Sequence, residues 1–380
     1  MLIQSLKNKD LFYQISNETT KINAIYCGFD ATAESLQIGN LTPLSALKTA
    51  ADSNITTIAL LGGATTQVGD PTGKTDTRKK INIEQIDKNI YKIKNQIQKL
   101  IPNAIVVNNL DWISKLSFMD FMNQIATHTS TAYMIKLKMF AQRLEENQPL
   151  NMQEFLYPLM QGYDFLWLYE NMNCNAQIGG QDQWCNILTG ANLINKKYEE
   201  NKATAITFPL LTNKEGKKMG KSEKGAIYIC PEKNSPYEFW QYWRNIDDDM
   251  LNICLKRFTS LNNEAIEQIK NPNEGKTILA NEITTWVHSI EEAKNAANKA
   301  KSIFVSRSFS EIEEKIIKIK KLFEIIKEIK NISSSEAKKL IKQNAVKIND
   351  VSISDSNYII EKGDFILSIG KKQFFKIKIS

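Results

Sequence analysis

The sequence predicts an α/β protein whose parallel sheet is followed by a helical segment and a small α+β tail. Short apolar stretches in the first 225 residues are each followed by a polar or glycine-containing loop and then by helical periodicity. Residues 236–258 and 262–304 have apolar residues at helical spacing. Residues 321–380 combine a Ser-capped amphipathic helix with strand-like alternation. We expect two or three domains in the 380 residues.

The first strand–helix unit spans residues 25–51. Residues 25–29 predict a strand and residues 41–51 a helix, so Gly39 and Asn40 lie at a helix start. Free backbone N–H groups and the helix dipole favour an anion there, although an ordinary strand-to-helix turn has the same pattern. The sequence has no GxGxxG or GxxxxGK[ST] string, which removes the main support for a dinucleotide or P-loop site.

The second unit starts with a strand predicted at residues 57–61 and opens into the glycine-rich run GGATTQVGDPTGKTDTR. Glycines permit close approach of the backbone to a ligand, and Lys74 and Arg78 at the end of the run can meet an anion. A tight turn with a solvated basic end is an equally good explanation of this run.

Three polar residues share one face of a predicted helix further along the chain. Tyr157, Gln161 and Asp164 are spaced i, i+4 and i+7. Apolar neighbours would leave the Asp164 carboxylate partly desolvated, which is typical of a binding site, whereas a solvated polar face is the plainer explanation.

A strand, a glycine loop and a helix are predicted again in the segment NAQIGGQDQWCNILTG. Gly179 and Gly180 would let a planar ligand lie against the backbone, and Asp182 can accept a hydrogen bond from a ribose hydroxyl. An ordinary turn that binds no ligand is the alternative interpretation of this segment.

The lysine-rich segment KKMGKSEKG carries Lys218 and Lys221 three residues apart, with Ser222 beside them. Two ammonium groups suit the stabilisation of charge that develops on a leaving phosphate group. A solvated basic turn is the alternative.

Composition argues against several classes of protein. The five cysteines form no CxxC pair and only two histidines are present, which disfavours a disulfide framework, a zinc site and a histidine-activated nucleophile. No apolar run approaches the roughly 20 residues of a membrane helix, and the N-terminus lacks a signal-peptide core. We therefore expect a cytoplasmic chain without a membrane partner and without a bound metal.

Five motifs together resemble those of class I aminoacyl-tRNA synthetases, in particular the bacterial-type tyrosyl-tRNA synthetases. The string YCGFDATAESLQIGN is similar to the first signature of that family, and KMGKS is similar to its KMSKS loop. The resemblance covers nearly the whole chain. It implies a Rossmann-like catalytic domain with a dimer-forming insertion over residues 1–225, an α-helical anticodon-arm domain over 226–305, a linker over 306–320 and an S4-like RNA-binding domain over 321–380.

The resemblance also implies roles for individual residues. Tyrosine-binding roles fall on Tyr26, Asp70, Tyr157, Gln161, Asp164 and Gln183. ATP-binding roles fall on Cys27, Gly28, Asp30, Gly39, Gly180, Asp182 and Lys221. Catalytic roles fall on Thr32, Gln37, Asn40, Lys218, Lys221 and Ser222. Lys74 and Arg78 are expected near the pyrophosphate or the tRNA, and Lys338, Lys339 and Lys342 near RNA.

The implied reaction has two steps. The carboxylate of L-tyrosine attacks the α-phosphorus of Mg²⁺-bound ATP, which gives tyrosyl-adenylate and pyrophosphate, and a ribose hydroxyl of tRNA(Tyr) then takes the tyrosyl group. Tyr26 and Asp164 would recognise the phenol and exclude phenylalanine, a selectivity that the same family illustrates generally. The reaction needs no tightly bound cofactor, and members of the family are homodimers, so we expect a homodimer.

One departure from the family pattern concerns the first signature. Gln37 and Asn40 stand where the family has histidines. An amide can donate a hydrogen bond to a phosphate oxygen but adds no positive charge, so we expect slower activation rather than an inactive enzyme. A catalytically weakened, synthetase-like RNA-binding protein is one alternative, and a tryptophan-specific relative is another.

The basic tail carries most of the net charge of +7. Residues 321–380 contain twelve lysines against seven acids, a balance of about +5. The tail resembles the S4-like module that ends bacterial-type tyrosyl-tRNA synthetases, which implies RNA binding that weakens steeply with salt. A lysine-rich surface helix without RNA contact is the alternative.

Overall fold

A computed structural model describes most of the chain. The described residues are 2–72, 81–199, 202–212, 219, 221–222, 225–305, 314–317, 321–349, 351–360, 363–370 and 373–379. The chain divides into two compact units, Met1–Lys294 and Asn295–Ser380, and each is described by itself. Among the described residues, no helix has the length and apolar character that crossing a bilayer requires.

The secondary-structure elements alternate through most of the first unit. In chain order the described helices are α1 Leu2–Asn8, α2 Leu41–Asp52, α3 Thr65–Val68, α4 Ile83–Leu100, α5 Leu110–Ile113, α6 Phe118–Gln124, α7 Thr131–Ile135, α8 Lys138–Glu145, α9 Met152–Met172, α10 Trp184–Lys197, α11 Pro236–Arg244, α12 Asp248–Phe258, α13 Asn263–Gln268, α14 Pro272–Val287, α15 Ile290–Val305, α16 Leu322–Lys330 and α17 Ser334–Lys342. The described strands are β1 Gln14–Ile15, β2 Ala24–Phe29, β3 Thr56–Leu61, β4 Ile105–Asn108, β5 Ala176–Gly180, β6 Thr204–Phe208, β7 Lys221–Ser222, β8 Gly225–Ala226, β9 Glu314–Ile317, β10 Val346–Ile348, β11 Val351–Ser352, β12 Gly363–Ile369 and β13 Gln373–Ile379.

The central sheet has the strand order β1-β6-β5-β2-β3-β4. All its pairings are parallel except that of β1 with β6, so the carboxyl ends of five strands meet at one edge. From β2 the chain continues outward to β3 on one side, while β5 lies on the other. A crevice opens at such a reversal of strand order and is the usual ligand site of open α/β sheets.

The local predictions for this unit are largely confirmed. The strands expected at 25–29 and 57–61 are β2 and β3, and the helix expected at 41–51 is α2. A short 3₁₀ turn at residues 38–40 precedes α2, with Asn40 at its N-cap. The helical periodicity at 236–258 and 262–304 corresponds to α11 to α15.

One local expectation is wrong in detail. Gly179 and Gly180 do not form a loop, because they are the last two residues of β5 and pair with Thr207 and Phe208 of β6. Their lack of a side chain still matters, since a Cβ on Gly180 would lie 2.6 Å from Asp182 Oδ1. The two glycines therefore extend β5 to its carboxyl end, and the chain turns only after Gly180.

The helix that carries the polar triad packs tightly on its neighbour. Helix α9 begins with a capping box between Asn151 and Glu154 and runs for 21 residues. It crosses α10 at a pair of glycines, because a Cβ on Gly190 would lie 3.2 Å from Gly162 Cα and 3.1 Å from Phe165 Cβ. The two helix backbones are therefore in direct contact.

The second unit contains a five-stranded sheet of order β11-β10-β12-β13-β9. Helix α17 has a capping box between Ser333 and Glu336, as the Ser-capped prediction required. Within the stretch expected as a linker at 306–320, residues 314–317 form β9 and pair in parallel with β13. Ile317 packs into the same core as Ile377 of β13. The domain boundaries stay predictions.

Candidate active site

A cleft of about 430 Å³ opens at the carboxyl edge of the central sheet. Its walls come from the ends of β2, β3, β5 and β6, the start of α2 and the polar face of α9. Most of the predicted site residues line it: Tyr26, Cys27, Gly28, Asp30, Gln37, Gly39, Asn40, Asp70, Tyr157, Gln161, Asp164, Gly180, Asp182 and Gln183. Segments far apart in sequence thus converge on one space.

The other predicted residues lie elsewhere or outside the described residues. Thr32 is exposed and does not line the cleft. Three positions lie outside the described residues: Lys74, Arg78 and Lys218. Lys221 and Ser222 form β7, which pairs with β8 in a hairpin, and their side chains are outside the description. The three lysines of α17 belong to the second unit: Lys338, Lys339 and Lys342.

Asp164 is the buried carboxylate at the floor of the cleft, with 2% of its surface exposed. Asn109 Nδ2 donates to Asp164 Oδ2 at 3.0 Å, and Trp112 Nε1 donates to Asp164 Oδ1 at 2.8 Å. Burial raises the pKa of Asp164 to about 7, and the two hydrogen bonds only partly oppose that rise. The carboxylate is held rigidly, and its remaining lone pairs can accept a hydrogen bond from a ligand.

Tyr26 presents a hydroxyl beside this carboxylate. Its ring packs edge-on against Phe165, with 5.3 Å between the centroids. Within the described part of the chain, the buried Tyr26 hydroxyl has no hydrogen-bond partner. Burial and the nearby Asp164 charge both raise the pKa of Tyr26, so the hydroxyl stays protonated and can donate. A buried hydroxyl without a partner is costly, and a polar ligand group at this point would satisfy it.

A second carboxylate, that of Asp70, lies further along the cleft. Gln183 Nε2 donates to Asp70 Oδ2 at 2.7 Å, and the Thr72 backbone N–H donates to Asp70 Oδ1 at 2.9 Å. Tyr157 and Gln161 line the same cleft from α9. This arrangement suits a ligand ammonium group, which needs a carboxylate and further acceptors.

Bare backbone borders the cleft at the end of β2. Gly28 is exposed although β2 is a central strand, and a Cβ added there would meet nothing within 4 Å. The next residue back, Cys27, has its pKa raised to about 12 by burial, so its thiol remains protonated as a weak donor. At Gly39 the nearest atom to an added Cβ is Met219 O, at 3.9 Å. The open space over Gly28 and Gly39 suits a flat ring or a sugar that lies against the chain.

Gln37 and Asn40 are fixed to each other and to the lysine hairpin. Asn40 Oδ1 accepts from the Gln37 backbone N–H at 2.9 Å. Gln37 also forms an isolated antiparallel bridge with Tyr228, supported by a bond from Ile38 N–H to Ile227 O at 3.0 Å. Since β8 ends at Ala226, the hairpin that contains Lys221 is joined directly to the segment that precedes α2. The two predicted signatures are therefore neighbours in space.

Sequence reasoning missed residues that line the cleft and residues that hold its side chains in place. Asn109 and Trp112 follow β4 and hold Asp164 from more than 50 residues away in the chain. Gln177 and Thr42 line the cleft, and within the described residues Gln177 Oε1 and Thr42 Oγ1 are buried without a hydrogen-bond partner. Gln177 could have been predicted from the alternation of side chains between the two faces of β5, because it lies two residues before Gly179 and so on the same face.

Comparisons with known proteins identify the family of the chain. Residues 18–305 match the family model described as tRNA synthetases class I (W and Y), and residues 321–366 match the S4 domain. The tyrosine–tRNA ligase of Clostridium kluyveri is 40% identical over 375 residues, which cover 93% of this chain and 91% of that protein. Tyrosine–tRNA ligase 1 of Clostridium acetobutylicum is 38% identical over 376 residues, again 93% and 91% of the two chains.

This chain belongs to the tyrosyl-tRNA synthetase family. The resemblance inferred from the motifs is thereby confirmed, and so is the class I α/β fold with a C-terminal S4 domain. A C-terminally truncated mitochondrial tyrosyl-tRNA synthetase of Aspergillus nidulans superposes with a TM-score of 0.72 at 25% identity, covering 80% of this chain and 94% of that one. A tyrosyl-tRNA synthetase of Archaeoglobus fulgidus, crystallised with L-tyrosine, has a TM-score of 0.56 at 15% identity, covering 78% and 99%, and shows the shared fold alone.

Proposed function

We propose that this synthetase-family chain is a tyrosine–tRNA ligase that activates L-tyrosine with ATP and transfers the tyrosyl group to tRNA(Tyr). The observation that carries the proposal is the pair at the cleft floor. Asp164 accepts two fixed hydrogen bonds, while the neighbouring Tyr26 hydroxyl is buried without a partner among the described residues. A phenolic hydroxyl that donates to Asp164 and accepts from Tyr26 satisfies both groups, whereas phenylalanine leaves them unpaired.

The rest of the amino acid extends from that floor toward the carboxyl ends of the strands. We assign the α-ammonium to the Asp70 carboxylate, with Tyr157 and Gln161 as further partners from α9. Gln183 already donates to Asp70, so it orients that carboxylate as well as lining the cleft beside the reacting carboxyl group. Positioning of this kind lowers the barrier by presenting the tyrosine carboxylate to the α-phosphorus in one orientation.

ATP is proposed to lie across the open backbone at the other end of the cleft. The adenosine fits over Gly28 and against Gly180, with Asp182 near the ribose. The phosphates then extend toward Gln37 and Asn40 at the start of α2, where the helix dipole is favourable. We propose that ATP enters with Mg²⁺ as a substrate complex and that no other cofactor is tightly bound. Thr32, Lys218, Lys221 and Ser222 are proposed to act on the phosphates.

Transfer to tRNA is proposed to use both units. Lys74 and Arg78 are assigned to the pyrophosphate or the tRNA end, and the S4 unit to another part of the RNA. Lys339 and Lys342 are exposed on α17, whereas Lys338 lies 4.5 Å from the Phe323 ring centroid. We therefore expect Lys339 and Lys342 to contact phosphates and Lys338 to contribute mainly to packing. Binding of tRNA should weaken steeply as salt rises, because each neutralised phosphate releases counterions.

We further propose that the chain acts as a cytoplasmic homodimer. Large apolar side chains are concentrated on the surface between residues 118 and 152, including Phe118 at 75%, Met119 at 61% and Met152 at 67% exposure. Exposure of this kind is typical of a protein interface. Phe118→Asp should shift the chain toward monomers in sedimentation velocity. Tyr91→Asp, which places the same charge at an exposed position on α4, should not.

Pyrophosphate exchange with tyrosine, phenylalanine and tryptophan in turn tests the activity. Exchange with tyrosine alone supports the proposal. Exchange that tryptophan drives as well as tyrosine would assign a different substrate. If no amino acid supports exchange while tRNA still binds, the chain is an RNA-binding protein without activation chemistry.

A further inference from the structure

A fully buried asparagine near the start of α10 contacts two residues of the cleft. Asn186 lies two residues after the first residue of α10, and its exposed fraction is 0%. It does not line the cleft, so a ligand there would not touch it. Its side-chain amide reaches the cleft residues from within the protein, and none of the roles assigned above uses it.

The donor end of this amide lies close to three oxygen atoms. Asn186 Nδ2 is 3.2 Å from Gln183 Oε1 and 3.3 Å from Thr72 Oγ1. Its distance to Asp70 Oδ1 is 3.5 Å, the longest of the three. Hydrogen bonds weaken with distance, and an NH₂ group has two protons to donate. The bond to Gln183 is therefore the one on which the argument depends.

The bond from Asn186 fixes which end of the Gln183 amide faces Asp70. Gln183 Nε2 donates to Asp70 Oδ2 at 2.7 Å. An ionised carboxylate only accepts, so Gln183 must present its NH₂ group to Asp70 and direct its Oε1 elsewhere. Asn186 Nδ2 supplies the donor that this Oε1 needs. Reversal of the Asn186 amide would bring two acceptors together, so the direction of the whole chain of bonds is set by the carboxylate.

The acceptor end of the same amide is left unpaired. Among the residues that the structure describes, Asn186 Oδ1 is buried and has no hydrogen-bond partner. An unpaired buried acceptor costs stability, and an apolar side chain at this position would avoid that cost. The asparagine is therefore better explained by the bonds that its Nδ2 makes to cleft residues than by packing.

We infer that Asn186 is a positioning residue for recognition of the substrate's α-ammonium group. It holds the Gln183 amide with its NH₂ group toward Asp70, and Gln183 in turn holds the Asp70 carboxylate in one orientation. Without Asn186, the Gln183 amide is free to rotate, and Asp70 loses one of its fixed bonds. The inference rests on the proposed function, in which Asp70 binds the ammonium group of L-tyrosine.

Two compounds that differ only in the ammonium group test this role: L-tyrosine and 3-(4-hydroxyphenyl)propionate. Isothermal titration calorimetry of the full chain without ATP gives Kd for each. In Asn186→Ala, Kd for L-tyrosine should rise by roughly 2- to 13-fold, the contribution of about one hydrogen bond, while Kd for the propionate should change by less than about twofold. Asn186→Val fills more of the space and also lacks the donor, so it should give the same selective loss.

Thr189→Ala is the matched control on the same helix. Thr189 is buried, its Oγ1 donates to Cys185 O within α10 at 2.8 Å, and it does not line the cleft. Its replacement should leave the ratio of the two Kd values unchanged. A double variant supplies a second test, because Asn186→Ala should add little in a Gln183→Ala background if it acts through Gln183.

Equal weakening of both compounds, or failure of both Asn186 variants to fold, would overturn the inference, because Asn186 would then support the fold rather than the ammonium site. A full effect of Asn186→Ala in the Gln183→Ala background would also overturn it. If both variants keep the preference for L-tyrosine, the inference fails while the proposed function stands. If the unmodified chain binds the two compounds equally, the proposed role of Asp70 fails, and the inference fails with it.

Discussion

Removal of one oxygen atom from Tyr26 should have opposite effects on stability and on activity. In Tyr26→Phe the ring keeps its edge-on contact with Phe165, so packing is preserved. The lost hydroxyl has no hydrogen-bond partner among the described residues, so the folded protein loses no internal bond. An unsatisfied buried polar group costs about 1 to 3 kcal/mol, and we expect the free energy of unfolding to stay level or rise by up to about 1 kcal/mol.

Activity should fall in the same variant. A hydrogen bond to the substrate phenol contributes about 0.5 to 1.5 kcal/mol, so kcat/KM for tyrosine should drop by roughly 2- to 13-fold. The value for phenylalanine should change little, which lowers discrimination by the same factor. Urea unfolding and pyrophosphate exchange with both amino acids measure the two effects, with Tyr91→Phe on exposed α4 as the control. Destabilisation by more than 1 kcal/mol, or an unchanged tyrosine-to-phenylalanine ratio, would refute the reasoning.

Three further predictions concern the cleft. Gln37→His should speed pyrophosphate exchange by roughly 5- to 150-fold, since a cation near the phosphates is worth about 1 to 3 kcal/mol; an unchanged rate would contradict this role. Gly28→Ala should fold normally, because its Cβ meets nothing within 4 Å, but it should raise KM for ATP roughly tenfold. Gly62→Ala should instead lower the free energy of unfolding, because its Cβ would lie 2.7 Å from Asp30 Oδ1. Burial raises the pKa of Asp164 from 3.8 to about 7, so between these values the folded protein keeps a proton that the unfolded chain releases. The free energy of unfolding should therefore fall as the pH rises from 4 to 7, by at most roughly 4 kcal/mol. Urea unfolding across this range should give a smaller decline in Asp164→Ala.

Local patterns predicted the parts of the site that depend on one segment. The polar face of α9 follows from the i, i+4 and i+7 spacing of Tyr157, Gln161 and Asp164, and all three residues line the cleft. The start of α2 at Asn40 follows in the same way from apolar periodicity.

Local patterns did not predict the contacts between segments that are distant in sequence. The bond from Gln183 to Asp70 joins residues 113 positions apart, and Trp112 reaches Asp164 across 52 positions. Strand β9 was missed for the same reason, since its charged and apolar residues form a strand only once β13 is present to pair with it. A single sequence fixes periodicity along an element, but which elements meet depends on the folded chain.

The glycine contact between α9 and α10 has a consequence for how substrate choice can change. With Gly162 against Gly190, no side chain separates α9, which is proposed to contact the phenol, from α10 at this crossing. A Cβ on Gly190 would lie 3.1 Å from Phe165 Cβ and 3.2 Å from Gly162 Cα, so the facing segment of α9 would have to shift slightly to accept one added methyl group. Mutations at this crossing should shift α9 as a unit and move Tyr157, Gln161 and Asp164 together. They should therefore change the proposed binding of the substrate's phenol and of its ammonium group at the same time.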